Sequence, residues 1–318
     1  MNFRKPFERA RQYFSTSSGK RVLKWIQHLF LWGILFWLIY QLSLIGWLNV
    51  WKSLPKQFWF YFLFIIMYFQ LPLFEVLIYR ITWTFEALRS IPIFLIKRVY
   101  NKDVIGYSGE VYFYVWARSH LSLKDRDIFM TIKDNNIISS IASTIVAVGL
   151  LSLFFFTDQI VFIEWVIDHN RAYFFGGTLL VLTLLILFVS FRRFVITMTL
   201  DKAYKIFGIQ MFRLIFLQCV NVLMYYVVLP DTPLYVWFSL ISVEIILSRI
   251  PFLPNRDLIF VGMSIGLAEG LMVSQTDIAG IMVARAALGK LFNFLSFGLA
   301  NLAKKSTIVP EIDEDEIR

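Results

Sequence analysis

A chain of 318 residues that is 58% hydrophobic, 18% aromatic and only 17% charged, with a mean hydropathy of +0.66, is too apolar for a soluble domain. Its net charge of +9 then belongs to the basic cytoplasmic loops of an integral membrane protein, and nucleic acid is set aside as a partner. The single cysteine, Cys219, rules out an intramolecular disulfide, and three scattered histidines are too few for a metal centre, so neither metal nor cofactor is expected.

Taken in order, the chain opens with a basic cytoplasmic arm, 1–24, followed by one transmembrane domain, 25–303, and an acidic cytoplasmic tail, 304–318. The charge-free run from Trp25 to Trp51 is too long for a signal-peptide core and predicts a retained span ending in an interfacial turn near Gly46. A second span covers Gln57 to Phe74 and continues to about Ile78. The stretch from Glu86 to Asp134 holds two short apolar pieces, Ile91 to Ile96 and Val104 to Trp116, with Lys97, Arg98 and Lys102 between them. Further spans are expected at Asn135 to Thr157, at Ala172 to Phe191, at Leu214 to Pro230 (starting near Ile206) and at Pro233 to Ser248, which contains Glu244. A closing hairpin joins Leu258 to Val273 with Ile278 to Ala303.

Loop charge sets the orientation. The arm, the Arg192, Arg193, Lys202, Lys205 loop and Lys304 with Lys305 belong in the cytoplasm, so both termini lie inside. The acidic loop Thr157 to Asn170 and Asp231 belong outside. Glu86 to Asp134 must therefore cross an even number of times or not at all. It reads as a half-inserted hairpin, and such backbone is tolerated at membrane depth only inside protein or beside water. The expected fold is an all-α polytopic transmembrane bundle of about eight or nine membrane segments, with broken or re-entrant helices.

Charges inside apolar stretches mark the candidate chemistry. Gly262, Gly266 and Gly270 share a helical face, and Gly280, Ala284 and Ala287 give the next helix a small face, as in close helix packing. If the turn falls near Gln275, Glu269 and Arg285 differ in depth by only about 6 Å and can pair, as helix glue or as part of a substrate site. Asn255 or Asp257 can cap the helix after Pro254. With Arg256 beside it, that helix start suits a phosphate or carboxylate, although an ordinary cap and a positive-inside arginine explain the same residues. Upstream, Ser108 can cap a helix beginning with Gly109 and Glu110 and leading to Arg118, and Lys133-Asp134 opens the next span. Both breaks are expected on the cytoplasmic side, facing one cavity. Paired broken segments point to a transport site between two internal repeats, 86–156 and 249–303. Gly262-Met263-Ser264-Ile265-Gly266 spells the hydrolase elbow pattern, but it lies within an apolar helix and no histidine follows His169.

At these stretches the chain resembles the flippase-like membrane family that includes the transmembrane region of lysylphosphatidylglycerol synthase. Pro251 to Asp257 takes the place of that family's break, with Arg256-Asp257 for its Arg-Glu. Arg285 stands for its later arginine, Gly109-Glu110 for its Gly-Glu pair and Asp134 for its span-opening Asp. The family's arginine shortly after Gly-Glu is Phe113 or Tyr114 here, and the resemblance covers about Ile105 to Ala303. It implies translocation of a phospholipid or polyprenyl-linked lipid across the cytoplasmic membrane. Gly109, Glu110, Arg118, Asp134, Arg256, Asp257, Glu269 and Arg285 would form the substrate site. The implied partners are membrane lipids and a separate lipid-modifying enzyme, with a homo-oligomer also open. No synthase activity is implied, because the soluble aminoacyl-transferring domain is absent from this sequence. A membrane scaffold or accessory subunit, and a membrane transferase using Glu110 or Asp134 as base, are the other readings.

Overall fold

The computed structural model describes residues 36, 38–40, 42–104, 107–156, 196–249 and 256–304. The basic arm, the acidic loop, the expected span Ala172 to Phe191, the Pro251 to Asn255 break and the chain beyond Lys304 lie outside the described residues. All the described secondary structure is helical. A short helix α1 (Trp47–Lys52) follows Gly46, whose φ of 91° breaks the chain from the helical residues before it. Next come α2 (Phe58–Tyr79), α3 (Ala87–Val99), a π turn (Tyr100–Val104) and α4 (Ser108–His120). The remaining helices are α5 (Asp125–Phe156), α6 (Leu200–Tyr226), α7 (Leu234–Arg249), α8 (Arg256–Ala268) and α9 (Gln275–Lys304).

Four of these helices, α2, α5, α6 and α9, are long and apolar enough to cross a membrane, and the protein is embedded in one. Two begin earlier than expected. α5 starts at Asp125 rather than Asn135, because Asp125 and Asp127 complement the helix dipole and carry the first turns beyond the apolar run. α6 starts at Leu200 with Asp201 in its first turn, ahead of Ile206. The outward faces of the bundle are apolar. Trp47, Trp51, Phe58, Trp59 and Phe62 are exposed around the start of α2, as in an interfacial aromatic belt.

The contacts fix the direction of each helix. Gln57 donates to the Val228 carbonyl at 3.4 Å, and Phe74 packs on Phe212 and Phe216, so α2 and α6 run antiparallel. α9 runs with α2, since Thr276 bonds Ser53 and Phe292 packs on Phe64 and Tyr68. α5 runs with α6, since Asp134 bonds Thr197 and Ile138 packs with Ala203 and Ile206.

Between the long helices lie two hairpins. At 13 residues each, α3, α4 and α8 are about 20 Å long, short of the roughly 30 Å hydrocarbon core. α3 enters beside the end of α2, with Phe94 on Tyr79, and stops near the middle of α2, with Arg98 over Tyr68. α4 returns toward Trp83. α7 enters at the opposite end, with Trp237 on Tyr225, and α8 returns to the turn before α9. The two hairpins thus enter from opposite ends of the bundle. The two breaks, expected on the cytoplasmic side and facing one cavity, instead meet between the two ends, where Lys102 contacts Asp257. The second helix of that pair ends at Ala268, where Val273 N–H bonds the Ala268 carbonyl and Met272 takes a φ of 55°.

Packing between helices in lipid depends on close approach, and Gly280 supplies one such approach. A Cβ there would lie 2.3 Å from the Ser53 carbonyl oxygen, while Ser53 Oγ donates to Thr276 O at 2.9 Å. Gly280→Ala is expected to cost about 1–3 kcal/mol through overpacking against backbone. Gly298→Ala, which meets nothing within 4 Å, should be neutral or stabilising. Thermal unfolding of the detergent-solubilised protein, followed by tryptophan fluorescence, compares the two directly.

Candidate functional site

The two hairpin tips meet. Lys102 Nζ, on the π turn, lies 2.7 Å from Asp257 Oδ2 in the first turn of α8. Both side chains remain about a third exposed. Asp257 therefore pairs across the tips rather than capping its own helix. Besides Lys102, the cations Arg285 and Lys290 lie within electrostatic reach of the Asp257 carboxylate. Arg98 and Arg285 also act on Lys102. Among the described side chains, Arg98, Lys102, Arg285 and Lys290 thus gather around Asp257, with Glu244 close behind. Arg256 is exposed and donates to the Ser248 carbonyl at 3.4 Å, bridging the gap between α7 and α8.

The upstream tip is built from local backbone chemistry. Tyr107 adopts a φ of 71° to turn the chain into α4. Gly109 N–H donates to Asn101 Oδ1 at 2.8 Å, and a Cβ at Gly109 would sit 2.1 Å from the Lys97 carbonyl oxygen. Only glycine allows α3 and α4 to approach this closely. Ser108 does not cap α4 as expected; its hydroxyl donates to Tyr100 O at 2.9 Å and ties the turn together.

Around the tips the buried charges are held by partners that the sequence left unnamed. Arg285 reaches Glu244 through two contacts, at 2.5 and 3.1 Å, and Tyr225 Oη at 2.5 Å. It does not pair with Glu269, which is exposed beyond the end of α8. Because α8 stops at Ala268, Glu269 has no depth, whereas Arg285 lies about 15 Å along α9 from its start. Arg98 stacks 3.8 Å from the Tyr68 ring centroid and donates to Asn293 Oδ1 at 3.2 Å. Tyr68 Oη joins the same layer, donating to Asn293 at 2.9 Å and lying 3.0 Å from Ser296 Oγ.

Glu110 turns inward rather than toward the tips. Lys97, 2% exposed, lies 2.6 Å from Glu75 and 3.7 Å from Glu110. Arg118 does not face Glu110. It pairs with Asp125 at 3.2 Å at the other end of α4, where both groups are half exposed. Asp134 does not open a span but lies within α5, fully buried. Its Oδ2 accepts from Thr197 N–H at 2.8 Å, Thr197 Oγ1 at 2.7 Å and Met198 N–H at 2.8 Å, so it clamps the segment leading into α6. Its other oxygen, Oδ1, lies 3.1 Å from Lys133 Nζ. Ser264 is buried midway along α8, on a helix rather than an elbow.

Of the candidate residues, the tip contact itself contains Asp257, with Gly109, Arg256 and Arg285 nearby. Glu110, Arg118, Asp134 and Glu269 stand apart from it. The missed residues are Lys102, Arg98, Glu244, Tyr225 and the Glu75–Lys97 pair. Their signal was present as cations between two half-length apolar pieces and an acid within an apolar run. Neither family models, nor curated proteins, nor solved structures yield a match to this chain.

The Arg285–Glu244 pair is partly screened, with side-chain exposures of 15% and 31%. Removing one partner strands the other charge. Arg285→Ala or Glu244→Ala is expected to destabilise the protein by on the order of 2–4 kcal/mol, and Arg285→Met with Glu244→Leu to recover most of that loss. Melting temperatures in detergent of these variants and of the double-alanine variant test this, and full additivity of the two alanine substitutions would count against the pairing.

Proposed function

We propose that this protein is a carrier that moves an anionic-headgroup lipid, a phospholipid or a polyprenyl-linked lipid, between the leaflets of the cytoplasmic membrane. The observation that carries this reading is the Lys102–Asp257 contact between two half-depth hairpin tips, set among Arg98, Arg285 and Lys290. A lipid phosphate competes with the Asp257 carboxylate for these cations, and its arrival releases one tip from the other. Lys102, Arg98 and Arg285 bind the phosphate, Arg256 guides it from the exposed edge, and Asp257 closes the site when lipid is absent.

Helix order supports the carrier reading. The lengths run 22, 13, 13, 32 from α2 to α5 and 27, 16, 13, 30 from α6 to α9. With α2 and α6 antiparallel, this order supports an inverted repeat, the arrangement in which transport sites form between broken helices near mid-membrane. Counting the hairpins and the segments outside the described residues, the chain has about eight or nine membrane segments, and both termini lie in the cytoplasm. The motif resemblance to the flippase-like family points the same way. Membrane lipids are the direct partners, and a separate lipid-modifying enzyme would supply or consume the cargo. The same pairs also suit an accessory subunit, since each joins two helices.

Lys102→Gln and Asp257→Asn separate the two readings. Partly exposed pairs contribute at most about 1 kcal/mol, so both variants should fold. Lipid movement in reconstituted vesicles is expected to fall about tenfold or more, equivalent to the loss of a single good interaction. Folded variants that move lipid at the wild-type rate would remove the carrier reading in favour of the accessory one.

A further inference from the structure

Resting on the carrier reading, we propose that Glu110 is a proton-binding group that couples lipid movement to a transmembrane pH gradient. Glu110 lies behind the upstream tip and takes no part in holding the lipid. An ionised carboxylate accepts several hydrogen bonds, and leaving one oxygen bare inside a protein is costly. Glu110 Oε2 is buried and meets no donor, while Oε1 stands 3.7 Å from a lysine committed to Glu75 at 2.6 Å. In the same layer the Tyr79 hydroxyl and both polar atoms of the Asn135 side chain are buried at 2% and 4% exposure. The Tyr79 hydroxyl lies beside the Asn135 side chain and within electrostatic reach of Glu110.

A protonated Glu110 resolves this arrangement. The carboxylic acid becomes a donor, and the Tyr79 hydroxyl oxygen, within electrostatic reach of Glu110, is an acceptor for it. The titratable and charged groups around it are Lys97 from α3, Tyr79 from α2 and, through the shared Lys97, Glu75 from α2, while Asn101 of the π turn holds the neighbouring Gly109 N–H and the uncharged Asn135 of α5 lies beside Tyr79. Arg213 of α6 acts on Glu75 from further away. With Glu110 ionised, Lys97 serves two carboxylates. With Glu110 protonated, Lys97 and Glu75 form a complete pair and the first turn of α4 is no longer held by charge. That turn cannot shift alone, because Gly109 is bonded to Asn101 and seated on the Lys97 carbonyl. Its movement carries the π turn, and with it Lys102. The proton arrives from water at one face, forms one O–H bond on Glu110, and leaves to water at the other face as that bond breaks. Nothing is oxidised or reduced.

The test uses wild type and Glu110→Gln in vesicles of phosphatidylethanolamine and phosphatidylglycerol that contain a fluorescent phosphatidylglycerol. With an imposed gradient of about one pH unit, the wild type should hold the probe unevenly between leaflets by up to about tenfold per coupled proton. A protonophore should erase that bias, and Glu110→Gln should spread the probe evenly whatever the gradient. A wild-type distribution that ignores the gradient overturns the coupling and leaves the carrier reading standing, as does a Glu110→Gln protein that still concentrates the probe. A folded Glu110→Gln protein that moves no probe places the residue in lipid movement itself and also overturns the coupling role. No protein-dependent movement in the wild type overturns the carrier reading and the coupling with it. If Glu110→Gln does not fold, proton influx into wild-type vesicles on probe addition, recorded with a trapped pH dye, decides alone.

Discussion

A helix that stops halfway through a membrane exposes backbone groups that lipid cannot satisfy, and most of this structure answers that constraint. At the upstream tip the answer is local. Asn101 takes the Gly109 N–H, Ser108 takes the Tyr100 carbonyl, and a π turn spreads the change of direction over Tyr100–Val104. At the downstream tip, Arg256 reaches back to the Ser248 carbonyl. Each tip then brings a charge to the other. The Lys102–Asp257 contact allows two short hairpins, entering from opposite ends, to end against protein instead of against lipid.

The long helices are arranged to make that meeting possible. α2 and α6 lie antiparallel, and each carries a tyrosine beside a buried cation near its end: Tyr79 under Lys97 and Tyr225 under Arg285. Each cation is in turn held by a carboxylate on another helix, Glu75 on α2 for Lys97 and Glu244 on α7 for Arg285. Aromatic side chains pack around these pairs, Phe94 and Phe113 on one side and Trp237 and Phe260 on the other. The polar layer of Arg98, Tyr68, Asn293 and Ser296 joins the first hairpin to α9 and completes the connection between the halves.

Composition made the membrane class legible, and the half-length apolar pieces flanking Lys97, Arg98 and Lys102 made the first hairpin legible. Helix starts were misplaced where polar turns extend a helix past its apolar run, as at Asp125 and Leu200. Partner choice was the least legible layer. Glu269 and Arg285 are near in sequence, but a helix ending at Ala268 removes one of them from membrane depth, and Glu244 fills the role from a different helix. Asp134 matched a motif position, yet its environment is set by Thr197 and Met198, residues far along the chain. Arg118 shares a helix with Glu110 but belongs to its opposite end. Spacing along one helix can be counted from sequence. Which helix arrives opposite depends on packing between segments whose order in space no local pattern encodes.

For the proposed carrier, the opposed courses of α2 and α6 have a consequence. A bundle whose main helices point both ways, with one hairpin entering from each end, presents similar backbone courses to either side. Such a molecule has little preference for direction in its own architecture. It can lower the barrier to crossing, while the sense of net flow is imposed by what differs between the two compartments: cargo supply, its removal, or an ion gradient.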